Sequence, residues 1–122
     1  MKSFVKITPE GRFALDGKRW FCNSTIYFGH HPGAMIDWFT DKSWAINEPQ
    51  LETDFARMAS IGLNHAALFL HNGMFFDGGK LLQKGFDRLD KVIEVAKSFG
   101  VRTTLFSGPF IDSEEEYFRV TG

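Results

Sequence analysis

Gly62 and Gly100 lie 38 residues apart, and the chain does the same thing after each of them. A run of strand length follows, the uncharged Leu63 to Leu70 in the first case and Val101 to Ser107, read as another covered strand, in the second, and then a polar loop and a helix start. A glycine closing a helix, followed by a short apolar strand, is the signature of a βα unit. Repeated units of this kind make parallel strands joined by right-handed crossovers. An open doubly wound sheet and a closed eight-unit barrel both use them. No glycine-rich phosphate-binding turn follows any strand, which weakens a nucleotide-binding version: Tyr27-Phe28-Gly29-His30-His31 holds one glycine, and Gly78-Gly79 stands away from a strand end.

The helices between these strands are legible from apolar spacing. Leu51, Phe55 and Met58 recur at i, i+4 and i+7, with Asn47 and Gln50 spaced as a capping box and Pro49 in the first turn. Phe86, Leu89, Ile93 and Ala96 mark the buried stripe of a helix from about 86 to 99, opposite Asp87, Arg88, Asp90, Lys91, Glu94 and Lys97. Ser113 and Glu116 predict a further helix start. Before the repeat, Phe4 to Ile7, Arg12 to Leu15 and Lys18 to Phe21 read as a β meander turned at Pro9-Glu10-Gly11 and Asp16-Gly17. Phe21 to Phe28 carries no charge on either side, which predicts a strand covered on both faces. Residues 29–46 read as a long loop.

Composition narrows the function classes. A net charge of −1 with scattered lysines and arginines gives no footprint for nucleic acid or an anionic membrane. The lone Cys22 makes no internal disulfide, and no apolar run reaches the roughly 18 residues of a membrane span. A soluble protein follows, with no signal peptide read at its start; the compartment stays open, the cytoplasm being preferred.

Three stretches resemble a known group of enzymes. Gly11-Arg12-Phe13-Ala14-Leu15-Asp16-Gly17-Lys18-Arg19-Trp20-Phe21 resembles the hairpin before the first strand of clan A glycoside hydrolases, especially family 5 cellulases and mannanases. Asp54 to Asn64, ending in Gly62-Leu63-Asn64, is similar to their first helix and second strand, and Leu89 to Val101 to their second helix and third strand. The resemblance implies an α/β chain holding about three βα units (residues 21–122) of a (β/α)8 TIM barrel, after an N-terminal hairpin (residues 1–20). It implies action on β-linked oligo- or polysaccharides by two carboxylates. In the family these glutamates follow the fourth and seventh strands. None is therefore expected in this stretch, and no cofactor. Completion by another copy or by the rest of the barrel is expected.

Two positions depart from the family pattern: Ala67 stands where many members carry Arg, and Leu105 to Phe110 lacks the usual His. Asn47-Glu48-Pro49 spells the family's acid/base motif, but it opens a helix, so a capping role is expected for it. A non-catalytic carbohydrate-binding or self-assembling module is the alternative from another class, and a metal-dependent barrel hydrolase a third.

The candidate substrate-binding residues are Tyr27, His30, His31, Trp38, Trp44, His71 and Asn72. Strand alternation puts His65, Ala67, Phe69 and His71 on one face and Asn64, Ala66, Leu68 and Leu70 on the other. With the apolar set against the helices, His71 points to the strand mouth, either toward a sugar hydroxyl or satisfied by backbone. His65, deeper, reads as a structural histidine. Tyr27 suits sugar contact or core packing equally. Trp38 and Trp44 offer indole faces for sugar rings or anchors for the loop. His30, His31 and His71 together suggest zinc, but adjacent histidines in extended chain point apart and no carboxylate completes the set, so no metal ligand is assigned. Phe75, Phe76 and Phe110 read as local packing, and Asp37, Asp41, Asp77 and Asp112 as turn or cap residues.

Overall fold

The glycine-bounded repeat is visible in the backbone of the computed structural model, which describes residues 3–30 and 38–107. Helix α2 (Leu51–Ser60) and helix α3 (Gln83–Ser98) end in the same way. At the first, Gly62 N donates to Ala59 O and Leu63 N to Met58 O; at the second, Gly100 N donates to Lys97 O and Val101 N to Ala96 O. This pair of bonds is the Schellman closure, and it needs the left-handed conformation that Gly62 (φ +86°) and Gly100 (φ +72°) adopt. Each closure aims the chain straight into a strand, β5 (His65–Leu70) and β8 (Arg102–Ser107).

These strands pair in parallel with each other, and β4 (Ser24–Tyr27) pairs in parallel with β5, giving the order β4-β5-β8. Ser24 lies opposite His65 and Arg102 in register, and Tyr27 opposite Leu68 and Leu105. Before this sheet, β1 (Lys6–Ile7), β2 (Phe13–Leu15) and β3 (Lys18–Arg19) form an antiparallel meander. Between β5 and α3, β6 (Phe76–Asp77) and β7 (Lys80–Leu81) form a two-stranded hairpin around Gly78-Gly79.

The architecture is thus a small mixed α/β domain with three separate sheets, and the partial (β/α)8 TIM barrel implied by the resemblance is corrected accordingly. The parallel sheet stands. What overturns the barrel is that the strands among the described residues fall into three separate small sheets, one parallel and two antiparallel, and that one of the antiparallel sheets, β6–β7, interrupts the connection from β5 to α3.

Two further expectations change. Part of the segment read as a loop is helix α1 (Asp41–Asn47), capped by the Thr40 hydroxyl accepting from Ser43 N. It runs through a 3-10 turn, Glu48–Gln50, into α2, and Asn47 makes no side-chain cap bond there, so the capping box is not formed. The strand expected to be covered on both faces is covered on one. Tyr27, Ala66, Leu68 and Leu70 are buried against Leu51 and Phe55 of α2 and Leu89, Val92, Val95 and Ala96 of α3. On the opposite face Ile26 is 57% exposed and Phe106 43%, Phe69 being the buried exception. The predicted start at Ser113, with Phe110 and Asp112, lies outside the described residues. Among those described, no helix is long and apolar enough to cross a membrane.

The meander is tied to the parallel sheet by polar bonds. Asn64 Nδ2 donates to Phe21 O (2.6 Å), Asn64 Oδ1 accepts from Asn23 N (2.9 Å), and Arg102 Nη1 donates to Ser3 O (2.9 Å).

Candidate functional site

In open parallel sheets, ligands bind beyond the carboxyl ends of the strands. At the end of β4 the chain turns through Gly29 at φ +91°, and a Cβ there would stand 2.8 Å from Asn47 Nδ2. Glycine is required on both counts, and it lets His30 and Asn47 approach. His30 N donates to Asn47 Oδ1 (2.9 Å), while Asn47 Nδ2 donates to Trp38 O (3.1 Å). Asn47 has no exposed surface, so this amide works as a buried double clamp on two chain segments.

The His30 side chain is fixed from the other direction. Its Nδ1 lies 2.9 Å from Oδ1 of Asp54, in the first turn of α2, and the other oxygen of the same carboxylate accepts from Tyr27 Oη at 3.0 Å. Asp54 is mostly buried while the His30 side chain is 41% exposed. Burial, followed by the adjacent Asp54 charge and the bond to it, pushes the Tyr27 hydroxyl far above the usual phenol range, so it stays a donor. A carboxylate bonded to Nδ1 orients an imidazole and fixes which nitrogen carries the proton toward it. Nε2 of His30 is then the nitrogen not engaged by Asp54. In the neutral ring it accepts a hydrogen bond, for instance from a hydroxyl.

The other sequence candidates fall as follows. Tyr27 is 5% exposed and packs on Trp38 (5.7 Å) and Phe55 (5.0 Å), so its ring belongs to the core. Trp38 is wholly buried and donates from Nε1 to Phe69 O (2.8 Å), anchoring the chain to β5. Trp44, 8% exposed, packs on Phe39, and the Arg88 guanidinium lies 5.6 Å above it. Both indoles have the anchoring role. His71 is buried, and its Nδ1 accepts from Gly73 N (3.1 Å), capping the 3-10 turn Asn72–Met74. Asn72, in that turn, is exposed just past the end of β5. His31 lies outside the described residues, as does Asp37. Glu48 sits exposed in the 3-10 turn between α1 and α2, in a helical segment and not on a strand. Among the described residues, no group of three or more His, Cys, Asp or Glu side chains is placed to hold a metal ion.

Sequence reasoning missed Asp54 and the clamp role of Asn47. Both act across 17 to 24 residues of chain, and no local spacing announces such a partnership. It also missed the cluster that ties α1 to α3, where Asp41 accepts from Arg88 (2.7 Å) and Lys84 (3.1 Å) and Arg88 donates to Phe39 O. Those cations, Arg88 first, hold the Asp41 carboxyl below its ordinary range.

His65 is the second polar centre. It lies on the open face of the sheet, with Nδ1 2.6 Å from Ser24 Oγ and Nε2 2.6 Å from Thr104 Oγ1, spanning all three strands. Desolvation lowers its pKa from the ordinary value. The buried structural histidine expected from the sequence is corrected here: the ring is partly exposed on the open face, held there by the two hydroxyls. Compared with known proteins, the chain matches no protein-family model, and no curated protein matches it.

Proposed function

We propose that this chain binds β-linked glycans as part of a glycoside hydrolase-like protein and performs no hydrolysis by itself. One observation carries the reading: at the carboxyl end of β4, His30 is held by Asp54 through Nδ1 and by Asn47 through its main chain, with its ring partly exposed. A fixed acceptor of this kind suits a sugar hydroxyl, and pre-fixing it lowers the ordering cost of binding. The exposed Asn72, past the end of the neighbouring strand, adds an amide able both to donate and to accept. The resemblance of residues 11–21, 54–64 and 89–101 to family 5 cellulases and mannanases supplies the substrate class.

Calorimetric titration with cellohexaose and mannohexaose tests this. At least one is expected to bind, and His30→Ala is expected to weaken it about tenfold, as loss of one hydrogen bond worth about 1.4 kcal/mol would. Binding of neither sugar, or equal binding by the variant, overturns the reading. Release of reducing sugar by the pure chain overturns its non-catalytic part.

A further inference from the structure

The glycan reading leaves the row on the open face of the parallel sheet unused. Ser24, exposed at the start of β4, has its Oγ 2.6 Å from His65 Nδ1, and the opposite nitrogen of that ring lies 2.6 Å from Thr104 Oγ1. A hydroxyl within reach of an imidazole whose far side is held by a third group is the arrangement that activates a serine nucleophile. The third group here is a hydroxyl rather than a carboxylate, and it orients the ring without adding charge. With the ring proton on Nε2 and donated to Thr104, Nδ1 is the acceptor for the Ser24 proton. Desolvation favours the neutral ring, the form able to accept it. Of the two hydroxyls, Ser24 is the primary and less hindered one.

The backbone adds a donor beside it. His65 N donates to Asn23 O (3.2 Å), and bonding residues alternate along a parallel ladder, so Asn23, Thr25 and Tyr27 turn their main chain toward β5. Ser24 and Ile26 turn theirs outward, along the side of β4 that has no neighbour in the order β4-β5-β8. The Ser24 N–H therefore points away from the ladder next to its own Oγ, where an ester oxygen gains negative charge as the serine adds. Ile26, 57% exposed and two residues along the same face, offers apolar surface for an acyl group.

We propose that Ser24 and His65 form a serine esterase site for small carboxylic esters with an apolar acyl group. Ser24 Oγ adds to the ester carbonyl as its proton passes to His65 Nδ1; the C–O bond to the alcohol breaks and the alcohol leaves with that proton. Water, deprotonated by the same nitrogen, then cleaves the acyl-serine, releasing the carboxylic acid and restoring the hydroxyl. The chemistry is acyl transfer, not cleavage of a glycosidic bond, and it lies at the opposite end of β4 from His30, so either proposal can fail alone.

The experiment treats the native chain with a fluorophosphonate, which phosphonylates activated serines with loss of fluoride, and locates the added mass by peptide mapping. The exposed Cys22 thiol is alkylated beforehand so that it does not compete in the ester assay. One phosphonyl group per chain is expected, on Ser24, and the labelled chain is expected to lose most of its release of nitrophenol from p-nitrophenyl acetate. His65→Gln, whose amide still reaches hydroxyls but takes up no proton at neutral pH, is expected to label at least tenfold more slowly. No label, label on any other residue, equal labelling of His65→Gln, or ester hydrolysis unaffected by the label overturns the proposal. The mapping is made on the native chain, so it holds whether or not the variant folds.

Discussion

The two faces of the parallel sheet are built from the same three strands and differ in nearly everything else. Toward α2 and α3 the sheet presents Tyr27, Ala66, Leu68 and Leu70, all buried, and the helices answer with Leu51, Phe55, Val92 and Ala96. On the other face Ser24, His65 and Thr104 join in a polar row, with Ile26 and Phe106 exposed beyond it toward the carboxyl ends of β4 and β8. A strand alternates its side chains, so one sequence writes both surfaces at once. The contrast teaches that stability is concentrated on one side. Burying a Leu or Phe side chain contributes roughly 1.5–3 kcal/mol, and the covered face does this many times over.

The comparison breaks most easily with a pair of truncations. Phe55→Ala, at a site with no exposed surface, is expected to cost about 3–5 kcal/mol, whereas Ile26→Ala on the open face costs less than about 1 kcal/mol. Urea unfolding of both variants measures the difference, and equal losses would mean that the open face is covered in solution. Asn47→Ala comes next. It strands the His30 amide and the Trp38 carbonyl, an expected loss of about 1–3 kcal/mol, and hydrogen exchange at His30 should quicken alongside it.

The smallest effect sharpens the contrast through pH. The folded state holds the His65 pKa below its ordinary value, so the unfolded chain takes up the proton first. Stability contributed by this ring is complete above about pH 6.5, the unperturbed histidine value, and declines as pH falls through the folded pKa. Urea midpoints at pH 7.5 and pH 5 should differ more for the native chain than for His65→Gln. An identical pH response would remove His65 as its source.

Elements governed by local chemistry were readable in the residues. The Schellman glycines, the 3.6-residue stripe of α3 and the Asp16-Gly17 turn each carry their instruction within a few positions. Helix α1 escaped because seven residues starting at Asp41 give too few turns for an apolar period, and its stability comes from Trp44 and the Asp41 bonds to α3. The β6–β7 hairpin escaped because each strand has two residues. The resemblance implied a barrel; the structure holds a parallel unit of three strands, but the β6–β7 hairpin that interrupts it carries too few residues per strand for any motif to announce. At the site, His30 stood out as a residue type; Asp54, indistinguishable in sequence from any first-turn acid, did not.

The row through His65 has a property that bulk and burial do not describe, namely direction. A neutral imidazole carries one N–H, so of the two hydroxyls at 2.6 Å one receives a proton and the other supplies one. Ser24, His65 and Thr104 thus form a small wire with a head and a tail, laid across the strands. Reversing it requires the ring proton to change nitrogen and both hydroxyls to rotate in the same event, which couples β4 to β8 through a single hydrogen atom's position.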